Sequence, residues 1–436
     1  MSDRIVVTGG AVVTMNDRGD VHHGGTVVVE GDRIVSVLEA GERAPEAGRV
    51  IDATGLAVMP GFVDLHYHTA IERGGYSESL EVEDALFGHW YPMMRALDAE
   101  TAYWGAMYSY MQAIKSGTVA VNDMFRRVEA LAAAAAEIGI RATLSSLVAR
   151  PEDGLDSLED NAAAFAAVDG SAGGRVRVLV GLEWLPLATA DLLRETHDLA
   201  EELGTGIHLH LSESRAEVET SLEKYGGRPT EVAHDFGLLS PRGVAAHCVW
   251  LTDGDIALIA GSGVHVSHNP AANSKLGEGL SPVPKLLAAG VNVGLGHDSV
   301  EGNNTMSIFD VMRTCAYLQR AVHADPLLMG VPDVLAMATR RGAAALGIDA
   351  GVLEPGRKAD LILVDAETGF YDPSRPAYRA NLRNRLVFAS HAGMVCTSII
   401  DGRIVMEDRV MQTVDEDAVA AGARRAVARL IDSLRK

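Results

Sequence analysis

At 436 residues the chain is longer than most single domains, but an α/β barrel uses roughly 250 residues as one unit, so a large domain with a smaller companion is the expected plan. A hydrophobic content of 47% with 22% charged residues is that of a packed globular protein, and a formal charge of −21 argues against nucleic acid or an anionic membrane as a partner. Three dispersed cysteines, Cys248, Cys315 and Cys396, form neither a disulfide framework nor a Cys-x-x-Cys site, and the N-terminus lacks a signal-peptide core, so a cytoplasmic protein without a membrane span is expected.

Residues 1–58 read as β-branched runs cut by glycines, with a hairpin turn at Glu30-Gly31-Asp32. Residues 59–350 alternate apolar runs with helical segments, the pattern of a parallel sheet with crossover helices. There are eight such runs: GFVDLH, TVAVNDM, RATLSSL, VRVLVGLE, GIHLHLS, GVAAHCVWL, GVHVSHN and VNVGLGHD. That number closes a (β/α)₈ TIM barrel. Helices such as VEALAAAAAEIG and SPVPKLLAAG fill the gaps. Residues 351–412 return to the β texture, with an Asp401-Gly402 turn, so the two chain ends are expected to combine into one small β-sandwich domain. Residues 413–436 form an amphipathic helix that would close over the small domain or a partner subunit.

Polar residues at the C-terminal ends of barrel strands face the active-site mouth. The first run ends in VDLHYHT, where His66 and His68 stand two apart and share one face of a strand. Such a pair is either half of a metal shell or two histidines that coordinate nothing. His210 and Glu213 end the fifth run, His247 the sixth and Asp298 the eighth. His208 shares a face with His210, but His210 lies nearer the strand end, so His210 takes the ligand position and His208 a deeper packed or hydrogen-bonded one. Three histidines and a carboxylate leave a place for water on a divalent ion, which draws that water's pKa towards neutrality. Asp298 can then accept its proton, Glu213 can protonate a leaving group and His247 can polarise the substrate. Trp90 and Trp184 either stack on an aromatic ring or pack in the core, and Glu183 bonds either a ring N–H or an ion-pair partner at the barrel rim. His297 should turn away from its neighbour Asp298, and Asn303 and Asn304 should order the loop that follows.

The stretches PGFVDLHYH, HLHLSE, AAHCVWL, VSHNPAANSKLGEG, VGLGHDSVEGNN and LEPGRKADLILVD resemble, in that order along nearly the whole chain, the amidohydrolase superfamily in its mononuclear deaminase and chlorohydrolase branch. The resemblance implies one divalent ion, zinc first and iron as the alternative, held by His66, His68, His210 and Asp298. It makes Glu213 the proton shuttle and His247 the residue that contacts substrate and attacking water. No lysine ends the fourth run, which favours a single ion. The implied reaction is attack of metal-bound hydroxide on an amino-bearing carbon of a nitrogen heterocycle, with release of ammonia. The same machinery could instead expel chloride or an alkylamine from a triazine or open a cyclic amide, and a non-catalytic scaffold is the remote alternative. The implied partners are a small heterocyclic substrate and further copies of the chain.

Three departures bear on the substrate. Adenosine-type deaminases of this branch place a ribose-binding Glu after LFG...P, where LFGHWYPMM puts Met94. They carry a Pro-His-Ser-Pro-like turn where this chain reads GLEWLPLA, and Gly-Thr-Asp where it reads Gly-His-Asp. Unpaired ribose hydroxyls are a strong rejection device, so a smaller, flatter amino-heterocycle is expected, contacted by His247, Trp90, Met94, Glu183 and Trp184. The stretch from Glu72 to Met94 is where the chain leaves the better-known deaminases.

Overall fold

In a computed structural model that describes residues 4–71, 80–366 and 380–434, each of the eight apolar runs contains a strand. Phe62–Tyr67, Thr118–Met124, Arg141–Ser145 and Val176–Val178 pair in parallel as one sheet; Val180–Trp184, Ile207–Leu211, Val244–His247, His265–His268 and Val293–Leu295 pair in parallel as a second. Val176–Val178 and Val180–Trp184 are one run broken only at Leu179, whose N–H reaches the Leu144 carbonyl at 2.8 Å. At the opposite seam Tyr67 bridges Asp298, with the Asp298 N–H 2.9 Å from the His66 carbonyl and the His68 N–H 2.9 Å from the Asp298 carbonyl. That seam joins the ends of the first and eighth strands, so residues 232 positions apart in sequence meet at one mouth (298 minus 66).

The strands are buried on both faces, as parallel strands under covering helices must be. In Ile207–Leu211 the apolar Ile207, Leu209 and Leu211 alternate with His208 and His210. Each apolar side chain contributes about 1.5–3 kcal/mol by leaving water, and the alternation leaves both histidines on the other face. The Ala-rich segment is the helix Val128–Ile138, ended by Gly139 at φ 94°, and Val283–Ala288 is the helix that begins at the prolines.

Both chain ends do combine. The expected sandwich is built from one continuous sheet of nine strands, in which Ala57–Pro60 pairs with Leu361–Val364 across the length of the chain. Its apolar side chains, among them Val7, Val27, Ile34, Leu361 and Ile399, form a separate core. Both expected hairpin turns are present, with Glu30 opposite Arg33 and Ile400 opposite Arg403. They abut so closely that a Cβ on Gly402 would come within 1.8 Å of the Gly31 carbonyl oxygen, so glycine is required there. Arg141, at the start of the third barrel strand, forks onto Asp360 at 2.7 and 3.0 Å and reaches Asp401 at 2.7 Å, tying the barrel to the small domain through buried charge.

The C-terminal helix, Glu416–Leu434, lies against the barrel. It packs on the barrel helix Ala99–Lys115, where Gly422 lies so close to Trp104 that a Cβ would meet the indole at 2.3 Å. No helix among the described residues is long and apolar enough to cross a membrane.

Candidate active site

Three strand ends deliver the four acceptors predicted from the sequence. Nδ1–H of His68 donates to the Met124 carbonyl at 2.7 Å, and Nδ1–H of His210 donates to the Glu183 carbonyl. These bonds fix each tautomer and leave both Nε2 lone pairs facing one another at 3.3 Å. Asp298 Oδ1 lies 3.3 Å from Nε2 of His68 and 3.4 Å from Nε2 of His66. His66 joins through a relay that the sequence did not reveal: its Nδ1 is 2.9 Å from Nε2 of His208, whose Nδ1 is 3.0 Å from Ser145 Oγ. With Ser145 as the terminal acceptor, His66 Nδ1–H donates to His208 and the His66 Nε2 lone pair is left inward. That atom is buried and has no hydrogen-bond partner.

Four buried acceptors that converge with no donor among them fit a cation. His66, His68 and Asp298 form one cluster of potential ligand atoms within 4.8 Å of one another, and His66, His210 and His247 form a second. The electrostatics agree. Burial works to raise the Asp298 carboxyl, but the facing His66 and His68 hold it well below the usual range. Burial opposes charge on His68, yet Asp298 lifts it to about 9. Burial holds His66 well below its ordinary value, and it lowers His210 as well. Positive charge is therefore favoured beside Asp298, where a bound cation would supply it in place of a proton on His68, while burial disfavours charge on His66 and His210.

The acid–base side stands next to this cluster. Glu213 Oε1 is 3.5 Å from Nε2 of His247, and both side chains are buried. Burial, then Glu278, Asp298 and Glu217, push the Glu213 carboxyl well above the ordinary range, which favours its protonated form. Glu217 accepts the backbone N–H groups of Ser212 at 3.0 Å and Glu213 at 2.6 Å and so sets the turn that presents Glu213. His247 (φ 72°) and Asp298 (φ 76°) both adopt left-handed backbone, at a cost of about 1–3 kcal/mol each. Strain of this kind turns the chain out of the strand just where the side chain must enter the mouth. Gly296 makes room for the first strand: a Cβ there would come within 2.9 Å of His66 Cβ. His297 turns away as predicted, with its Nδ1 2.7 Å and its backbone N–H 3.0 Å from the Asp64 carboxylate.

A cavity opens over these residues, lined by His68, His210, Glu213, His247 and Asp298 on the floor and by Val82, Leu86, Trp90, Met93 and Trp184 on the walls. Trp90 and Trp184 thus take wall positions, with the Trp90 ring edge-on to His68 at 5.5 Å between centroids. Two expected substrate contacts are corrected. Met94 is fully buried in the main core and Met93 lines the cavity instead, because adjacent residues of the helix Tyr91–Ala96 point in different directions. Glu183 does not line the cavity: its Oε1 accepts from Tyr91 Oη at 3.0 Å and its carbonyl holds His210, so it positions a ligand candidate. Residues 72–79, part of the divergent stretch, lie outside the described residues.

A barrel with this mouth defines a hydrolase of the amidohydrolase type, and the chain belongs to the amidohydrolase family, whose sequence profile matches residues 57–405. The 5-methylthioadenosine/S-adenosylhomocysteine deaminase of Acetivibrio thermocellus is 36% identical over 98% of this chain and 99% of its own. The 5′-deoxyadenosine deaminase of Methanosarcina barkeri is 36% identical over 98% of each chain. Among solved structures, an adenosine deaminase from Xanthomonas campestris with bound zinc superposes with a TM-score of 0.90 at 27% identity, covering 98% of both chains.

Proposed function

We propose that this amidohydrolase is a metal-dependent deaminase that replaces the amino group of a nitrogen heterocycle by oxygen from water and releases ammonia. The observation that carries the proposal is a buried Glu213 carboxyl beside four converging acceptors at the floor of an aromatic-walled cavity. One divalent ion, zinc first and iron as the alternative, would be held by Nε2 of His66, His68 and His210 with Asp298. Bound there, it supplies Lewis acidity that makes water a nucleophile near neutral pH. Asp298 accepts the first proton that water loses; Glu213 protonates the ring nitrogen, then takes the hydroxyl proton of the oxygen being installed and passes it to the departing amino group, and Asp298 returns its proton to Glu213 once ammonia leaves, while the His247 Nε2–H donates to that oxygen. Trp90 and Trp184 hold the flat ring between apolar faces. The reaction consumes one water and yields one ammonia, so no redox partner is needed.

Two substrate classes have separate support. The apolar wall formed by Val82, Leu86, Trp90, Met93 and Trp184 favours a flat, free amino-heterocycle. The adenosine-type deaminases that match over the full chain favour a 5′-deoxyadenosine-like nucleoside. A screen of ammonia and chloride release across free bases, nucleosides, pterins and triazines decides. Ammonia from a free base at higher kcat/KM than from any nucleoside is the expected result; chloride release from a triazine without ammonia from any compound overturns the deaminase reading. Assembly as a cytoplasmic homo-oligomer completes the proposal and is checked by light scattering of the purified protein and by fractionation.

A further inference from the structure

We propose that Glu278 is a positioning residue of this site, one that orients the Asn273 amide so that His247 carries its proton on Nε2 and presents it to Glu213 and the substrate. The inference rests on the deaminase reading above and assigns a residue that the strand-end rule does not reach, because Glu278 lies in the turn after the short helix Pro270–Lys275.

The Asn273 Nδ2 amino group has two hydrogens and two partners. One hydrogen goes to Glu278 Oε2 at 2.7 Å and the other to His247 Nδ1 at 2.9 Å. With Glu278 ionised, turning the amide over would set its oxygen against the Glu278 oxygen at that short distance, acceptor against acceptor, so the Glu278 carboxylate selects the orientation observed. An amide that donates to Nδ1 requires Nδ1 to be the acceptor, and a neutral imidazole then has its hydrogen on Nε2. Nε2 of His247 is the atom 3.5 Å from Glu213 Oε1, so the donor is aimed where the reaction needs it. Asn269 supports the same tautomer from another side, with Nδ2 3.4 Å from His247 Nδ1 and Oδ1 committed to Ser267 Oγ at 2.9 Å.

Placing a carboxylate here is costly, which makes its presence informative. Glu278 is 5% exposed, its Oε1 is buried without a hydrogen-bond partner, and it shares a cluster with Glu213 and His247 whose ligand atoms lie within 4.8 Å of one another. A residue serving only to fill the turn would need none of this. The Glu278 N–H also bonds the Asn273 carbonyl at 2.9 Å, so backbone and side chain hold the same asparagine.

The test uses the full-length, zinc-loaded enzyme with Glu278→Gln, Glu278→Ala and Asn273→Ala, alongside nitrogen-15 NMR of histidine-labelled protein in which His247 is identified by its loss in His247→Asn. Gln keeps an oxygen for Asn273 and Ala does not. The expected result is a fall in kcat of about 10- to 100-fold for Glu278→Ala, with KM and metal content near wild type, recovery in Glu278→Gln to within about 3-fold, and a His247 signal that changes tautomer in Glu278→Ala but not in Glu278→Gln. A Glu278→Ala enzyme that keeps both its kcat and the Nε2–H signal of His247 overturns the inference. If no compound in the screen yields ammonia, the deaminase reading fails on its own, and the NMR comparison still decides the role of Glu278.

Discussion

Glu213 and its neighbours carry the sharpest consequences at the scale of single residues. Glu213→Gln keeps the shape and removes the transferable proton, so turnover should fall by about 10²- to 10⁴-fold while zinc content, measured by mass spectrometry, stays at the wild-type level; a near-wild-type rate would remove Glu213 from the mechanism. The pH dependence has a defined direction. Because burial and the neighbouring Glu278, Asp298 and Glu217 raise the Glu213 carboxyl, its donating form persists through neutrality and is lost as pH rises through the raised value. The logarithm of kcat/KM should therefore fall on the alkaline limb, and a profile still rising at high pH would contradict this assignment. His208 makes a separate prediction. Replacing it with Leu deprives His66 Nδ1 of its acceptor, and metal affinity by competition with a chelator should weaken by about 10- to 100-fold.

At the scale of elements, what the sequence revealed depended on how local the cause was. The period-2 geometry of strands made His66, His68 and His210 readable, and the strand-end rule added Glu213, His247 and Asp298, because each depends on a residue's place in its own run. Glu183 does stand at a strand end, but of its two expected roles the structural one fits its surroundings, since its carboxylate accepts from Tyr91, a partner on a separate element that no local pattern encodes. Met94 was placed by motif position alone, which does not say which of two adjacent residues of the helix Tyr91–Ala96 faces the cavity. His208, Asn273 and Glu278 act through contacts between separate elements, which no local pattern encodes. The nine-stranded sheet was half legible: its strands and turns are local, but the pairing of Ala57–Pro60 with Leu361–Val364 is not. Arg141 offers a test at this scale. Arg141→Ala strands Asp360 in a buried setting without its forked partner and should cost about 3–5 kcal/mol, seen as a lowered thermal midpoint; an unchanged midpoint would show that the barrel and small domain do not rely on this bridge.

For the whole molecule, the barrel and the metal centre are one mechanical unit. The Tyr67–Asp298 bridge that joins the first and eighth strands carries three of the four acceptors at its ends, so an ion held there also ties the seam of the ring. Removing it should lower the thermal midpoint of the entire protein, and readdition should restore it, since a ligand bound to the folded state alone stabilises by about 4 kcal/mol at a thousandfold excess over Kd. The most direct test of the account is a titration of the metal-free protein with zinc while ammonia release from the best substrate of the screen is followed. The account predicts a rate that rises in proportion to zinc and levels off at one ion per chain. Full turnover without added metal, or a plateau only at two ions per chain, would contradict it.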